Sequence, residues 1–224
     1  MSLGRHKREP LQYSPVNLLD KASPLRYSLR PMSRHLFNER KAAQAAAWLL
    51  FRAGGAMRLL KLMKLMYLAE RRSLEVHNEP LIGDRLVSME HGPVLSRTYN
   101  HMNGAMPSAE GGWESWIADR SGHVLALRDP ARLQSPETQL LALSDSDAET
   151  LDEIWSRFGA LDQWQLVEHT HTHCPEWQDP GESMIPIEMH DLFLAFGMDD
   201  ETARAAAARQ EEHNAINAVF SREA

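Results

Sequence analysis

The run His169-Thr170-His171-Thr172-His173-Cys174 holds the residue types best suited to chemistry in this sequence. On a helix, imidazoles at i and i+4 share a face, so His169 and His173 are candidate ligands for a transition metal in a metal-dependent hydrolase. His171 points elsewhere on such a helix, and the His-Glu-x-x-His arrangement that adds a catalytic base is absent. Cys174 beside His173 suggests a thiol nucleophile with a base, but neighbours in sequence rarely face each other and such pairs assemble across a fold. Gly54-Gly55 and Gly111-Gly112 lack the Gly-x-Gly-x-x-Gly and Lys-[Ser/Thr] patterns that cradle phosphate, so both read as turns. No Gly-x-Ser-x-Gly elbow is present. These residues assemble no recognisable reaction centre, and the expectation is a non-enzymatic binding protein without a cofactor. The hydrolase at His169 and His173 is the alternative.

A second group suits binding better than catalysis. Lys61, Lys64 and Tyr67 recur every third residue and so lie along one side of a helix, close to where His91-Gly92-Pro93 can turn back toward it. A lysine buried there needs an acidic or carbonyl partner, which makes Lys64 a candidate tie between turn and helix, with contact to a partner protein as the competing role. Trp177, in a loop after a helix, is either an interface anchor or a pin holding its loop to the core. His171 has a plain structural role open to it, a hydrogen bond to neighbouring backbone.

The elements that must position these residues read as mostly helical. Asn38 caps a helix beginning at Glu39, alanine-rich through Lys41 to Phe51 and ended by Gly54-Gly55. A second helix, Met57 to His77, is apolar almost all round except for Lys61, Lys64, Arg71 and Arg72, the pattern of a helix buried centrally. An extended segment from Leu81 to Met89 closes at His91-Gly92-Pro93, with Pro93 expected as the first residue of a further helix. Trp113–Asp119 and His123–Arg128 read as two strands of a hairpin around Ser121-Gly122. Ser144 with Asp147 carries a capping-box signature ahead of the amphipathic Leu151, Ile154, Trp155 and Phe158, and another helix follows over Leu161–Thr170. Two more are expected near Ile187–Phe196 and Asp200–Phe220. The fold class is therefore α+β, mainly α-helical, with a central buried helix and a small antiparallel hairpin or sheet. The organisation is a basic, proline-containing flexible leader over 1–36, one domain over 37–198, and a C-terminal helix over 199–224 packed on or extending it.

With 224 residues and a net charge of -7, the chain is long enough for one well-buried domain and poorly suited to nucleic acid, except weakly through the basic leader. Cys174 is the only cysteine, which excludes an internal disulfide and suits a reducing cytoplasm. No apolar run is long enough to span a bilayer, and the polar residues after Arg8 do not form the apolar stretch of a signal peptide, so no membrane partner is expected.

Two stretches resemble the Panacea domain of SocA-like antitoxins. The first is Lys61-Leu-Met-Lys-Leu-Met-Tyr-Leu-Ala69 with Glu79-Pro-Leu81 and His91-Gly-Pro-Val94, similar to a Lys-Leu-x-Lys-Leu-x-Tyr helix, a Pro-Leu loop and an aromatic-Gly-Pro-Val turn. His91 stands where many relatives have tyrosine. The second is Leu166-Val-Glu-His-Thr-His171, Pro175-Glu-Trp177 and Ile185-Pro-Ile187, which resembles the family's Thr-His, tryptophan and Ile-Pro elements in order. The resemblance covers roughly Phe37 to Gly197. It implies a mainly helical fold with a small sheet and an antitoxin that neutralises the product of an adjacent toxin gene by direct contact. In some relatives that role extends to delivering the toxin to an ATP-dependent protease. It marks Lys61, Lys64, Tyr67, His91, Gly92, Pro93, Thr170, His171 and Trp177 as motif residues and candidate partner contacts. A phage-derived adaptor for a host protein other than a toxin is the remaining alternative.

Overall fold

A computed structural model describes residues 37–220; the expected leader over 1–36 lies outside the described residues, as do the last four. The elements run α1 (Glu39–Arg52), β1 (Ala56–Arg58), α2 (Leu59–His77), β2 (Leu86–Met89), β3 (Gly92–Leu95), α3 (Ser96–Met102), α4 (Trp113–Trp116), β4 (Val124–Ala126), α5 (Pro136–Gln139), α6 (Asp145–Phe158), α7 (Gln163–His173), β5 (Ile185–Pro186), α8 (Met189–Ala195) and α9 (Asp200–Phe220). The fold is α+β and mainly helical, with small antiparallel sheets.

The centre is α2. Every residue from Leu62 to Glu70 is buried, and the helix touches α1, α6, α7, β1 and β3. Alanines on α1 at 42, 43, 45, 46 and 47, all 0% exposed, let it pack closely, while Leu151 and Ile154 of α6 and Leu166 of α7 close the other sides. The caps are those the sequence indicates. Asn38 accepts from Lys41 N at 3.0 Å, and Ser144 and Asp147 form a reciprocal capping box at α6. A second box, Asp162 with Gln165, starts α7.

Three local expectations are corrected. The second helix begins at Leu59 rather than Met57, because Ala56–Arg58 pairs antiparallel with Val124–Ala126. Gly54 and Gly55, at φ +81 and +104, turn the chain directly into that strand. Having taken 124–126, β1 leaves the expected hairpin with two single bridges, Ile117 to Leu127 and Ser121 to Val124. Its first strand is instead interrupted by the one-turn helix α4, whose first N–H, on Trp113, donates to the Glu39 carboxylate at 2.8 Å. Pro93 does not open a helix. It pairs opposite Ser88 in β3, an edge strand of the order β3-β2-β5, where its missing N–H is tolerated. The helix starts at Ser96, and its orphan donors on Arg97 and Thr98 reach the buried Asp84 carboxylate at 3.0 and 2.7 Å.

At the C-terminal side, α9 packs Ala203, Ala206 and Ala207 against Phe193 of α8. Gln210 Nε2 donates to Asn78 O at the end of α2, joining this helix pair to the central helix.

Candidate functional site

Polar side chains emerge from α2 at Lys61, Lys64, Tyr67 and Arg71, and together they tie three neighbouring segments to the helix. Lys61 Nζ donates to Gly159 O at 2.7 Å, fixing the junction between α6 and α7, and lies over the Trp155 ring. Lys64 Nζ donates to Pro93 O at 2.8 Å, joining helix to turn as the sequence suggested. Tyr67 Oη donates to Glu176 Oε1 at 2.5 Å, and Arg71 Nε donates to the same oxygen at 2.8 Å while its guanidinium covers Phe196. Lys64 and Tyr67 are both 0% exposed, so this side of α2 faces protein at its centre.

Burial sets the electrostatics. It pushes the Lys64 amine down from its ordinary 10.5 to about 7, with nearby Cys174 acting in the opposite sense. It holds the Tyr67 phenol well above its usual value, reinforced by the Glu176 carboxylate. The Cys174 thiol is pushed up to about 12, first by burial and then by Glu176. A thiol so far from ionising is a poor nucleophile.

Gly92 is the point where the turn crosses α7. At φ +95 it occupies backbone space that side chains rarely adopt, and a Cβ there would lie 2.7 Å from Thr170 Oγ1 and 2.8 Å from Lys64 Nζ. Thr170 is buried and donates to Val167 O at 3.0 Å. Seven of the nine motif residues thus meet at one crossing: Lys64, His91, Gly92, Pro93, Thr170, His171 and Trp177, with Tyr67 tied through Glu176 and Lys61 further along α2.

Above the crossing stand four rings. His171 stacks on Trp177 with centroids 3.9 Å apart and planes 10° from parallel, and Trp177 Nε1 donates to Met89 O at 2.9 Å. His91 meets Trp164 edge-on at 5.5 Å. The expected backbone bond of His171 is not the role it takes: its Nε2 is buried without a partner. Burial, then the neighbouring Lys64, lowers its pKa, which favours the neutral imidazole that stacks on indole. Trp164 is 47% exposed and His91, His171 and Trp177 are half-buried, so these are the rings with surface to offer.

The anchoring carboxylates were not found from sequence. Glu70 on α2, 1% exposed, accepts from Ile82 N at 2.7 Å and Gly83 N at 2.9 Å, and burial raises it to about 7 against the pull of those donors. Asp84 is likewise raised by burial. Glu39 receives Ala109 N, Trp113 N and Ser108 Oγ. The one local signal was Glu70, a lone acid amid the apolar run of α2.

His169 and His173 do share a face, but as a stacked pair, centroids 4.4 Å apart, with His169 against Phe158 and His173 Nδ1 3.1 Å from His169 O. Burial and the neighbouring His173 lower the His169 pKa. Among the described residues no group of three or more His, Cys, Asp or Glu is placed to hold a metal ion. No described helix is long and apolar enough to cross a membrane.

The polar side chains that α2 presents here are thus spent in holding a ring-bearing turn against a helical body. The family profile described as antitoxin SocA-like, Panacea domain, matches residues 62–178, more than half of the 224 residues, and the chain belongs to that family. No curated protein and no solved structure matches it.

Proposed function

We propose that this chain is an antitoxin that neutralises a cognate toxin by direct protein–protein contact, without transforming a substrate. Membership of the antitoxin family is the observation that carries this reading. The use made of the reactive residues supports it: the Cys174 thiol is buried and His169 and His173 are stacked in packing. The contact face is the ridge of His91, Trp164, His171 and Trp177, large flat side chains on a rigid support, the type that dominates interface energetics. Lys61, Lys64, Tyr67, Gly92, Pro93 and Thr170 act beneath it as its support. Exposed carboxylates of Glu90, Glu168 and Asp179 border the ridge, which suits a basic toxin surface. The setting is the bacterial cytoplasm, and hand-over of the toxin to an ATP-dependent protease is a further step of the same reading.

Co-expression with the product of the adjacent gene tests it. Growth is rescued by the wild-type chain, and the two proteins co-elute in size-exclusion chromatography. Trp164→Ala, an exposed position, keeps the fold but weakens rescue. Failure of rescue together with absence of a complex contradicts the antitoxin assignment; full rescue by Trp164→Ala and Trp177→Ala contradicts the ridge.

A further inference from the structure

The N-terminal part of α1 and the segments around α4 and before α5 line an open trough of about 520 Å³, formed by Arg40, Gln44, Glu110, Gly111, Ser115, Trp116 and Arg132. We propose that this trough binds an acidic peptide segment, seating a carboxylate between the Arg40 and Arg132 guanidinium groups.

The lining is rich in donors. Arg40 spends Nε and Nη2 on the Glu110 carbonyl, at 3.3 and 3.1 Å, leaving Nη1 free. Arg132 lies over the Trp116 ring at 5.4 Å, and neither arginine forms an ion pair among the described residues. In a chain of net charge -7, two unpaired guanidiniums on one trough are notable, because carboxylates to neutralise them are plentiful elsewhere on the surface. Gln44 is 8% exposed and its Oε1 already accepts from Ala142 N at 2.7 Å, so the amide N–H groups are what it has left to offer. Ser115 adds a hydroxyl.

The walls are held in advance. Glu39 binds the loop through Ser108 Oγ, Ala109 N and Trp113 N while Arg40 takes the loop's carbonyl, so consecutive residues of α1 grip it from two sides. Asp129 Oδ1 accepts from Ala131 N and Arg132 N, fixing the backbone that carries the second arginine. The Glu39 carboxylate and Asp129 Oδ1 are engaged by these donors. Glu110 is the acidic side chain on the trough itself, and it is exposed.

A peptide fits better than a nucleotide. The indole face that would stack a base is already covered by Arg132. A planar carboxylate is the group that arginine grips best, through charge-assisted N–H donors.

The test titrates an acetylated, amidated Gly-Glu-Glu-Glu-Gly peptide into the full-length chain, followed by calorimetry and by NMR of the arginine Nε–H and tryptophan indole signals. Saturable binding is expected, with shifts at Arg40, Arg132 and Trp116. Affinity should fall by about tenfold or more in Arg132→Gln and in Arg40→Gln, each change being worth at least one charge-assisted contact. Arg209→Gln on α9 leaves it unchanged. Thermal melts confirm that the variants fold, and Arg132→Gln, whose backbone contacts remain, serves if Arg40→Gln does not. Absence of binding, binding that survives Arg132→Gln, equal binding of the glutamine analogue, or equal affinity for inorganic phosphate each overturns the proposal. None of these outcomes depends on a toxin.

Discussion

Replacing Lys64 with methionine removes a buried amine while keeping much of its volume, and the electrostatics fix the sign of the outcome. A fall from 10.5 to about 7 means that the unfolded chain binds more protons than the folded one between those values. This group's cost is therefore fully present below pH 7, shrinks as pH rises from 7 to 10.5, and is gone above that. At about 1.4 kcal/mol per tenfold, it amounts to roughly 4 kcal/mol at pH 7. Against it stands the loss of the bond to Pro93 O, which leaves a buried carbonyl unmet at about 1–3 kcal/mol. The relief wins, so Lys64→Met is expected to be more stable than wild type by about 1–3 kcal/mol at pH 7. Between pH 7 and pH 9 the wild type should recover about 2 kcal/mol, narrowing the gap. Cys174 and Tyr67 titrate at the alkaline end in the opposite sense but are common to both chains. Urea melts at pH 7 and pH 9, with equal slopes, measure the difference. A variant less stable than wild type by about 2 kcal/mol or more at pH 7, or a gap that ignores pH, refutes the reasoning.

Other outcomes follow from the same geometry. Gly92→Ala forces a Cβ into Thr170 and Lys64 at a positive φ, and should cost about 3 kcal/mol or more in a denaturant melt. Glu176→Ala strands the Tyr67 hydroxyl and the Arg71 guanidinium, with an expected loss of about 3–5 kcal/mol by the same measurement. Glu70, raised from 4.5 to about 7, binds more protons in the folded state over that interval, so its contribution is greatest in acid and is lost as pH climbs to 7. The resulting fall of about 3 kcal/mol from pH 4.5 to 7 should be missing in Glu70→Gln. Cys174 should resist iodoacetamide at pH 8 in the native chain and react once urea unfolds it.

Features settled within a few residues were legible in the sequence. The Asn38 cap, the Ser144–Asp147 box and the apolar circumference of α2 depend on neighbours at helical spacing, and the need of a buried Lys64 for an acidic or carbonyl partner follows from its charge alone. Features settled across the fold were not. The strand at Ala56–Arg58 exists because 124–126 arrives beside it, and α4 starts where a carboxylate 74 positions away meets Trp113 N. Glu70, Asp84 and Glu39 all accept from backbone N–H groups, and backbone donors leave no mark on residue type. The motif residues at the crossing were named through family resemblance. Their meeting at Gly92 became visible only when β3 and α7 were brought together.

Hydrogen exchange of the purified chain with and without the product of the adjacent gene tests the central claim most directly. Direct neutralisation through the ridge predicts added protection at residues 89–92, 163–167 and 174–178, while the backbone of α9 is unchanged. Protection confined to other segments contradicts the ridge, and no change anywhere contradicts binding itself.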